Sequence, residues 1–176
     1  MIDFRSVPLA AAAAMLFLAP PAAAEPAGGQ PTLLGTYGAW GAYQGMANGR
    51  KVCFAAARPS SSTTVPANRP RDPAYIFVAS RPAENVANEV SIIIGYPFKP
   101  NSTAMATIGS ANFEMYTQND GAWIMNAADE SRLVESMRKG ADLVVKGTSG
   151  RGTQTTDTFS LKGLAQAIDR ANQGCQ

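Results

Sequence analysis

The segment VVKGTSGRGTQTTDTFSLKG, residues 144–163, concentrates side chains that could carry chemistry: four glycines, seven Ser or Thr hydroxyls, one Arg and one Asp. A Walker A phosphate loop needs a Lys after its second spaced glycine, and Thr153 stands in that position. A G-x-S-x-G nucleophile elbow needs a final glycine, and Arg151 stands there. The segment is therefore predicted to be two strands joined by a Gly-rich turn, whose glycines supply positive φ.

Two alternatives remain open inside this segment. Backbone amides of the turn, with the Ser149 and Thr153 hydroxyls nearby and Arg151 as counter-charge, could hold an anion. Asp157 could be a catalytic carboxylate, but such a residue more often accepts hydrogen bonds from nearby hydroxyls or backbone, or pairs with a base such as Arg151. We favour the structural role for Asp157.

The chain contains no histidine, and this excludes several classes of enzyme. Ser-His-Asp and Cys-His nucleophile systems, His-ligated zinc and an imidazole general base are all ruled out. Carboxylate pairs, Ser-Lys dyads and oxygen-ligated metals remain chemically possible, but none has a recognisable pattern here. We therefore assign no catalytic residue, cofactor or metal. A hydrolase or carbohydrate-active enzyme that uses carboxylates such as Asp157 or Glu114 is the alternative.

Charge and aromatic residues constrain the partners. A formal net charge of +2, without basic runs, predicts no nucleic-acid partner. Trp40 and Trp123 could line a ligand groove, although a Trp in an alternating strand is usually part of the core.

The first residues have the pattern of a secretory signal peptide. An apolar run from Val7 to Ala19 is followed by Ala22-Ala23-Ala24-Glu25, which predicts a signal peptide over residues 1–24, cleaved after Ala24. The run is short for a bilayer span, and no later segment is long enough, so we expect no stable membrane insertion after cleavage. We predict a flexible leader over 25–32, a single domain over 33–176, and a location in the periplasm or outside the cell.

The two cysteines, Cys53 and Cys175, both lie in the predicted exported part. An oxidising compartment and an even count predict a Cys53–Cys175 disulfide bond, with two buried free thiols as the alternative.

The patterning along the chain predicts mainly antiparallel β structure. GTYGAWGAYQG alternates, and Asn48-Gly49 predicts a hairpin turn into KVCFAAA. The Pro-rich residues 58–73 are expected to form a long surface loop, in which residues 69–72 are solvated. Further strands are predicted in six segments: AYIFVAS, NEVSIIIGY, TAMATIG, NFEMYTQ, AWIMN and ADLVVKGTS, with another in TQTTDTF.

Two helices complete the prediction. Asn126 can cap a short helix that ends before Gly140, and Ser160 can cap a C-terminal helix that ends at Gly174. The predicted fold is an antiparallel β-sandwich or partly closed barrel, with one helix after Asn126 and one at the C-terminus.

The ordered set RDPAYIFVASRP, NEVSIIIGYPFK, AWIM, MRKGADLVVKGTSGRGTQTTDTFSLKGLAQAI and a Cys near the end resembles the invasion-associated locus B family of bacterial exported proteins. The resemblance implies a periplasmic or secreted protein of a Gram-negative bacterium, linked in intracellular pathogens to host-cell entry and so to virulence. The family brings no catalytic mechanism, so it transfers no active-site residues. We therefore predict a non-enzymatic binding protein with an unknown protein, envelope or host-surface partner.

Overall fold

The computed structural model describes residues 29–176. The predicted signal peptide and the first residues of the predicted leader lie outside the described residues. Gly29, Gln30 and Pro31 have no regular structure, and the first strand begins at Thr32, within the segment that we expected to be leader.

The described chain forms eleven strands and two α-helices: β1 (Thr32–Tyr37), β2 (Trp40–Ala47), β3 (Arg50–Ala57), β4 (Ser61–Val65), β5 (Tyr75–Arg81), β6 (Val86–Ile93), β7 (Thr103–Ile108), β8 (Ala111–Gln118), β9 (Gly121–Trp123), α1 (Ala127–Lys139), β10 (Asp142–Thr148), β11 (Gln154–Ser160) and α2 (Leu164–Gly174). All strands belong to one antiparallel sheet in the order β1-β2-β3-β5-β6-β9-β8-β7-β10-β11-β4. The prediction of a mainly antiparallel β fold with two helices is confirmed.

The sheet coils without closing into a barrel. Its two edges are β1 and β4, yet the indole Nε1 of Trp40 on β2 donates a hydrogen bond to the carbonyl oxygen of Ser160 on β11 at 2.8 Å. These strands are second and tenth in the sheet, so the two ends of the sheet must approach one another. Side chains from the inner face of the sheet and from both helices share one core. Its largest fully buried members include Trp40, Phe159, Ile76, Ile92, Met115, Leu143 and Leu164.

The first hairpin is the one that the sequence predicts. Asn48 and Gly49 have φ of 51° and 73° and join β2 to β3, as a type I′ turn requires. The alternating stretch before it is not one strand, however. It divides at Gly38, whose φ is 61° and where a Cβ would lie 2.7 Å from the carbonyl oxygen of Lys162. Only a glycine permits this turn and close approach.

The predicted surface loop over residues 58–73 contains a strand, so that prediction is wrong in part. β4 pairs with β11 along its whole length, from Ser61 opposite Thr158 to Val65 opposite Gln154. Most of its side chains are exposed Ser and Thr, and no alternating apolar pattern marks the strand. Pairing with the distant, Thr-rich strand β11 forms β4, and local sequence patterns give no sign of that partner.

The two helices differ in how well their starts were predicted. Asn126 caps α1 as expected, because its Oδ1 accepts a hydrogen bond from the Asp129 amide at 2.9 Å. Ser160 does not cap α2, since it is the last residue of β11. The helix begins instead after Gly163, which has φ of 93°. A Cβ on Gly163 would lie 2.1 Å from the carbonyl oxygen of Tyr37, so the turn leading into α2 packs directly on the β1–β2 turn.

Cys53 and Cys175 form a disulfide bond, as predicted. Cys53 is fully buried on β3, and Cys175 directly follows α2. The bond therefore fixes the C-terminal helix to the first hairpin.

Candidate functional site

The Gly-rich turn between β10 and β11 uses its own amides. Ser149 donates its N–H to the Thr153 carbonyl at 2.9 Å, and Thr153 donates its N–H to the Ser149 Oγ at 3.1 Å. Gly152 donates to the Ser149 carbonyl at 2.8 Å, and Gly150 donates to the Pro97 carbonyl at 3.0 Å. Arg151 is exposed. These four donors are already occupied, which leaves little of the amide cradle that an anion would need.

Asp157 pairs with Arg71, not with Arg151. The Asp157 side chain is 0% exposed and that of Arg71 is 12% exposed. Both terminal nitrogens of the guanidinium contact the carboxylate: Nη1 donates to Oδ2 at 2.8 Å, and Nη2 donates to Oδ1. Both oxygens of this buried carboxylate are held by one arginine, so the pair holds together two distant parts of the chain.

Arg71 also corrects the prediction that residues 69–72 form a solvated loop. Its Nη1 donates to the Ile94 carbonyl at 2.8 Å, and its Nη2 donates to the Ser62 Oγ at 3.0 Å. The guanidinium lies 5.9 Å from the ring centroid of Tyr96. One arginine thus ties the loop to β4, to the residue that follows β6, and to β11. The sequence offered no signal for this, because the partner of Arg71 lies 86 residues away.

Burial raises the pKa of the neighbouring Tyr96 hydroxyl above its ordinary value. That hydroxyl and the Thr155 Oγ1 are 2.7 Å apart and share a hydrogen bond. The buried Asp157 carboxylate, the Arg71 guanidinium and the Tyr96 hydroxyl therefore belong to one packed polar cluster.

The other sequence-predicted candidates do not converge on this cluster. Trp40 is completely buried in the core. Trp123 lies half-buried on the outer face of the sheet, where its ring stacks on Tyr116 with centroids 5.7 Å apart and an interplanar angle of 28°. Arg151, Trp40 and Trp123 therefore occupy separate places in the fold.

The cleft beside Trp123 was not predicted from the sequence. It has a volume of about 420 Å³ and lies between β8 and the start of α1. We call it the β8 cleft, and its lining residues are Thr103, Asn112, Phe113, Glu114, Tyr116, Ile124, Met125, Asn126, Asp129 and Arg132. Met125 is 79% exposed and Tyr116 is 38% exposed, so two apolar side chains are presented to solvent here. This size falls within the range of small-ligand sites.

A short strand creates the cleft. The segment AWIMN was predicted as a five-residue strand, but β9 ends at Trp123 and pairs only with residues 116–118 of β8. The chain then turns away toward Asn126 and α1. The earlier half of β8 is left beside a gap in the sheet, and α1 packs across that gap. An exposed methionine after an apolar run was the one available sequence signal.

The charged side chains that line the β8 cleft differ in whether they already have an ion-pair or hydrogen-bond partner. The Asp129 carboxylate accepts hydrogen bonds from Arg132 Nη1 at 2.6 Å and from Asn126 Nδ2 at 2.8 Å. The Arg132 guanidinium lies 5.6 Å from the ring centroid of Phe113. Glu114 is exposed and has no ion pair within residues 29–176. It is the carboxylate that a bound molecule would meet.

A second, smaller cleft of about 250 Å³ lies on the opposite side of α1 and is lined by Glu130. The Glu130 Oε1 accepts a hydrogen bond from the backbone N–H of Val90 at 2.6 Å. Burial raises the pKa of the Glu130 carboxyl, and the Val90 hydrogen bond opposes that rise.

Residues 29–176 contain no cluster of three or more Cys, Asp or Glu side chains that could hold a metal ion. None of the helices there has the length and apolar character needed to cross a bilayer.

The fold and its clefts define a class first: a disulfide-bonded protein built on one open antiparallel β-sheet, with a surface cleft beside β8. Comparison with protein-family models identifies the family, since the model for the invasion associated locus B (IalB) protein matches residues 44–172. The chain belongs to the IalB family.

The crystal structure of invasion associated protein B from Bartonella henselae is similar in fold, with a TM-score of 0.53 and 17% sequence identity. The match covers 79% of this chain and 94% of that one. A comparison with curated proteins gives no match. Neither of the two descriptions names an enzymatic activity.

Proposed function

We propose that this chain is an exported, non-enzymatic binding protein of the periplasm or cell surface that holds its partner at the β8 cleft. One observation carries the proposal: Met125, the most exposed large apolar side chain in residues 29–176, and the exposed aromatic Tyr116 line the same 420 Å³ cleft. Apolar and aromatic side chains displayed together on a surface are typical of interaction sites. The IalB family supports a partner on the bacterial envelope or on a host cell.

Export rests on the sequence. The predicted signal peptide over residues 1–24 and the Cys53–Cys175 disulfide both suit an oxidising compartment outside the cytoplasm. Fractionation of cells that express the full chain should recover a shortened, oxidised protein from the periplasm or medium. Recovery of the full-length, reduced chain from the cytoplasm would count against export.

Site-specific crosslinking tests the location of the binding site. A photo-crosslinking residue would replace Met125, and a matched control would replace Gln166, which is exposed on α2 on a different part of the surface. We expect Met125 to give discrete adducts in the exported protein, and we expect Tyr116→Ala to reduce them. Equal adduct patterns from the two positions would refute binding at the β8 cleft.

A carboxylate-dependent hydrolase is the second candidate. One observation favours it, because Glu114 and Asp129 both line the β8 cleft, and a pair of carboxylates is the equipment of glycoside hydrolysis. The engagement of Asp129 by Arg132 and Asn126 argues against it. Hydrolysis of a panel of glycosides and esters that is present in the purified protein and lost in Glu114→Gln would favour the enzyme over the binding protein.

A further inference from the structure

We propose that the partner enters the β8 cleft as an extended peptide segment and pairs, as an added β-strand, with the free edge of β8 opposite residues 112–115. This inference rests on the proposed binding function and names the kind of partner. Extended segments that add a strand to an open sheet edge gain affinity from main-chain hydrogen bonds and specificity from alternate side chains.

The direction of the β8 backbone groups follows from its two hairpins. Two-residue turns connect Ile108 to Ala111 and Gln118 to Gly121, and in each hairpin those flanking residues are the pair that closes the turn. Because hydrogen-bonding direction alternates along a strand, the even-numbered residues of β8 point their N–H and C=O groups away from β7. Both hairpins give the same assignment. The backbone groups of Asn112 and Glu114 therefore point toward the gap.

Those groups have no partner within residues 29–176. β9 pairs with residues 116–118 only, and the backbone hydrogen bonds of the loops do not reach Asn112 or Glu114. No side chain of the described region hydrogen-bonds the backbone of these two residues either. An unpaired strand edge is a ready template for another chain.

Strand β6 forms the opposite border of the gap, and a backbone N–H there does have a hydrogen-bond partner. Residues Ser91–Ile93 of β6 pair with β9, and the N–H of Val90 faces the same gap. There the Glu130 carboxylate takes the place of a strand by accepting that N–H at 2.6 Å. The fold thus caps the β6 border with a side chain and leaves the β8 border open, beside the larger cleft. This contrast points to the β8 edge as the docking edge.

The position of the free β8 edge within the sheet limits the kind of partner that can reach it. The gap lies inside the sheet, with α1 packed across it, so the outer strand of another folded sheet cannot reach β8. A single extended segment can. Glu114 on the outer face favours a basic residue directly opposite, because opposite charges stabilise cross-strand pairs. The adjoining Phe113 and Ile124 are apolar and favour an apolar neighbour on the inner face. The fitting segment alternates basic and apolar residues.

A synthetic hexapeptide, acetyl-Val-Lys-Val-Lys-Val-Lys-amide, is the probe. It would be titrated into the full mature protein while backbone amide exchange is followed by NMR. In the free protein we expect fast exchange at Asn112 and Glu114, and slow exchange at Phe113 and Met115, which face β7. Saturating peptide should slow exchange at Asn112 and Glu114 by about tenfold or more, as a new hydrogen bond would. Unchanged exchange at both residues would overturn strand addition.

Backbone methylation of the peptide separates strand pairing from side-chain docking. In an antiparallel pairing that places one lysine opposite Glu114, the lysines would direct their N–H groups to β8, whereas the valines would direct theirs away. N-methylation of the lysines should weaken binding about tenfold, and N-methylation of the valines should change it by less than about twofold. Equal affinities for the two methylated peptides would refute the proposal even if the peptide binds.

Variants of the protein give the complementary result. Glu114→Pro removes an N–H that β7 does not use, so the β7–β8 pairing can survive it. Glu114→Ala keeps that N–H and loses only the carboxylate. We expect Glu114→Pro to weaken peptide binding more than Glu114→Ala, with circular dichroism showing both folded. Equal weakening would contradict a role for the backbone, and if Glu114→Pro fails to fold the methylated peptides decide.

Failure here is distinguishable from failure of the proposed function. Crosslinking at Met125 without slowed exchange at Asn112 and Glu114 would leave a binding cleft that holds its partner by other means. The opposite result is slowed exchange with the lysine-containing peptide but no crosslinked partner in the exported protein. In that case the β8 edge can add a strand, but its biological role is unsupported.

Discussion

The Arg71–Asp157 pair offers the sharpest test of how this fold is held together. Arg71→Ala removes the guanidinium and leaves the Asp157 carboxylate fully buried with no counter-charge. Breaking a buried pair from one side typically destabilises a protein by about 3–5 kcal/mol. Arg71 also loses its hydrogen bonds to the Ile94 carbonyl and the Ser62 hydroxyl. We therefore expect a loss near the upper end of that range.

The size of this loss can be judged against the stability of a whole domain. Domains of this kind unfold with about 5–15 kcal/mol, so the variant should lose a large share of its stability. Equilibrium unfolding in urea, on the oxidised protein at neutral pH, measures it. Arg69→Ala is the matched control, because Arg69 lies in the same loop and is exposed. We expect that control to stay within about 0.5 kcal/mol of the wild type.

A double variant distinguishes the loss of the ion pair itself from the cost of leaving one buried charge unpaired. Arg71→Met with Asp157→Leu replaces both charges by apolar groups, and such replacements are often nearly neutral. The double variant should therefore be more stable than the sum of the effects of Arg71→Met and Asp157→Leu alone predicts, which would show coupling between the two sites. If Arg71→Ala lies within about 1 kcal/mol of the wild type at the same urea dependence, the pair does not lock the loop and this reasoning is wrong.

Two further predictions concern stability. Cys53→Ser with Cys175→Ser should lower the free energy of unfolding, measured in urea, by about 4–5 kcal/mol. The reason is that the disulfide closes a sequence separation of 122 residues in the unfolded chain. Equal stability of the double variant and the oxidised protein would contradict this. Burial raises the pKa of Glu130, so its carboxyl contributes most below its unfolded pKa of about 4.3, and that contribution is lost as pH rises through the folded pKa. Glu130→Gln stays neutral and can keep the Val90 hydrogen bond, so its stability relative to the wild type should increase between about pH 4 and pH 7 in urea titrations. A difference that is independent of pH would exclude the buried carboxyl as its source.

Features decided by neighbouring residues were predictable. Asn48-Gly49 demands a type I′ turn wherever it occurs between two strands, and the structure has it. The start and end of α1 were predicted for the same reason, since the Asn126 cap and the Gly140 stop are local properties. The Cys53–Cys175 bond followed from composition and compartment. It needed no geometry, because only one pair was possible within the chain.

The β8 cleft shows the limit of such patterns. The run AWIMN looks like a strand throughout, and its apolar residues continue past the point where β9 ends. What ends the strand is the capped start of α1, three residues on, which draws the chain away from β8. Local propensity cannot decide between two elements that compete for the same residues. Packing of the helix against the core decides it.

The sequence by itself determined most of the strands, the start of α1, the disulfide, the family and the exclusion of histidine-dependent chemistry, since each depends on residue type or on short spacing. Only the tertiary structure decided that Asp157 pairs with Arg71, that β4 joins β11, and that one edge of β8 faces an open cleft. These depend on segments far apart in the chain, which come together only when the sheet coils around its core. The Gly-rich segment that resembles a catalytic loop is held by its own amides and a buried ion pair. The open β8 edge, where we propose that a partner binds, depends on where β9 ends and α1 begins.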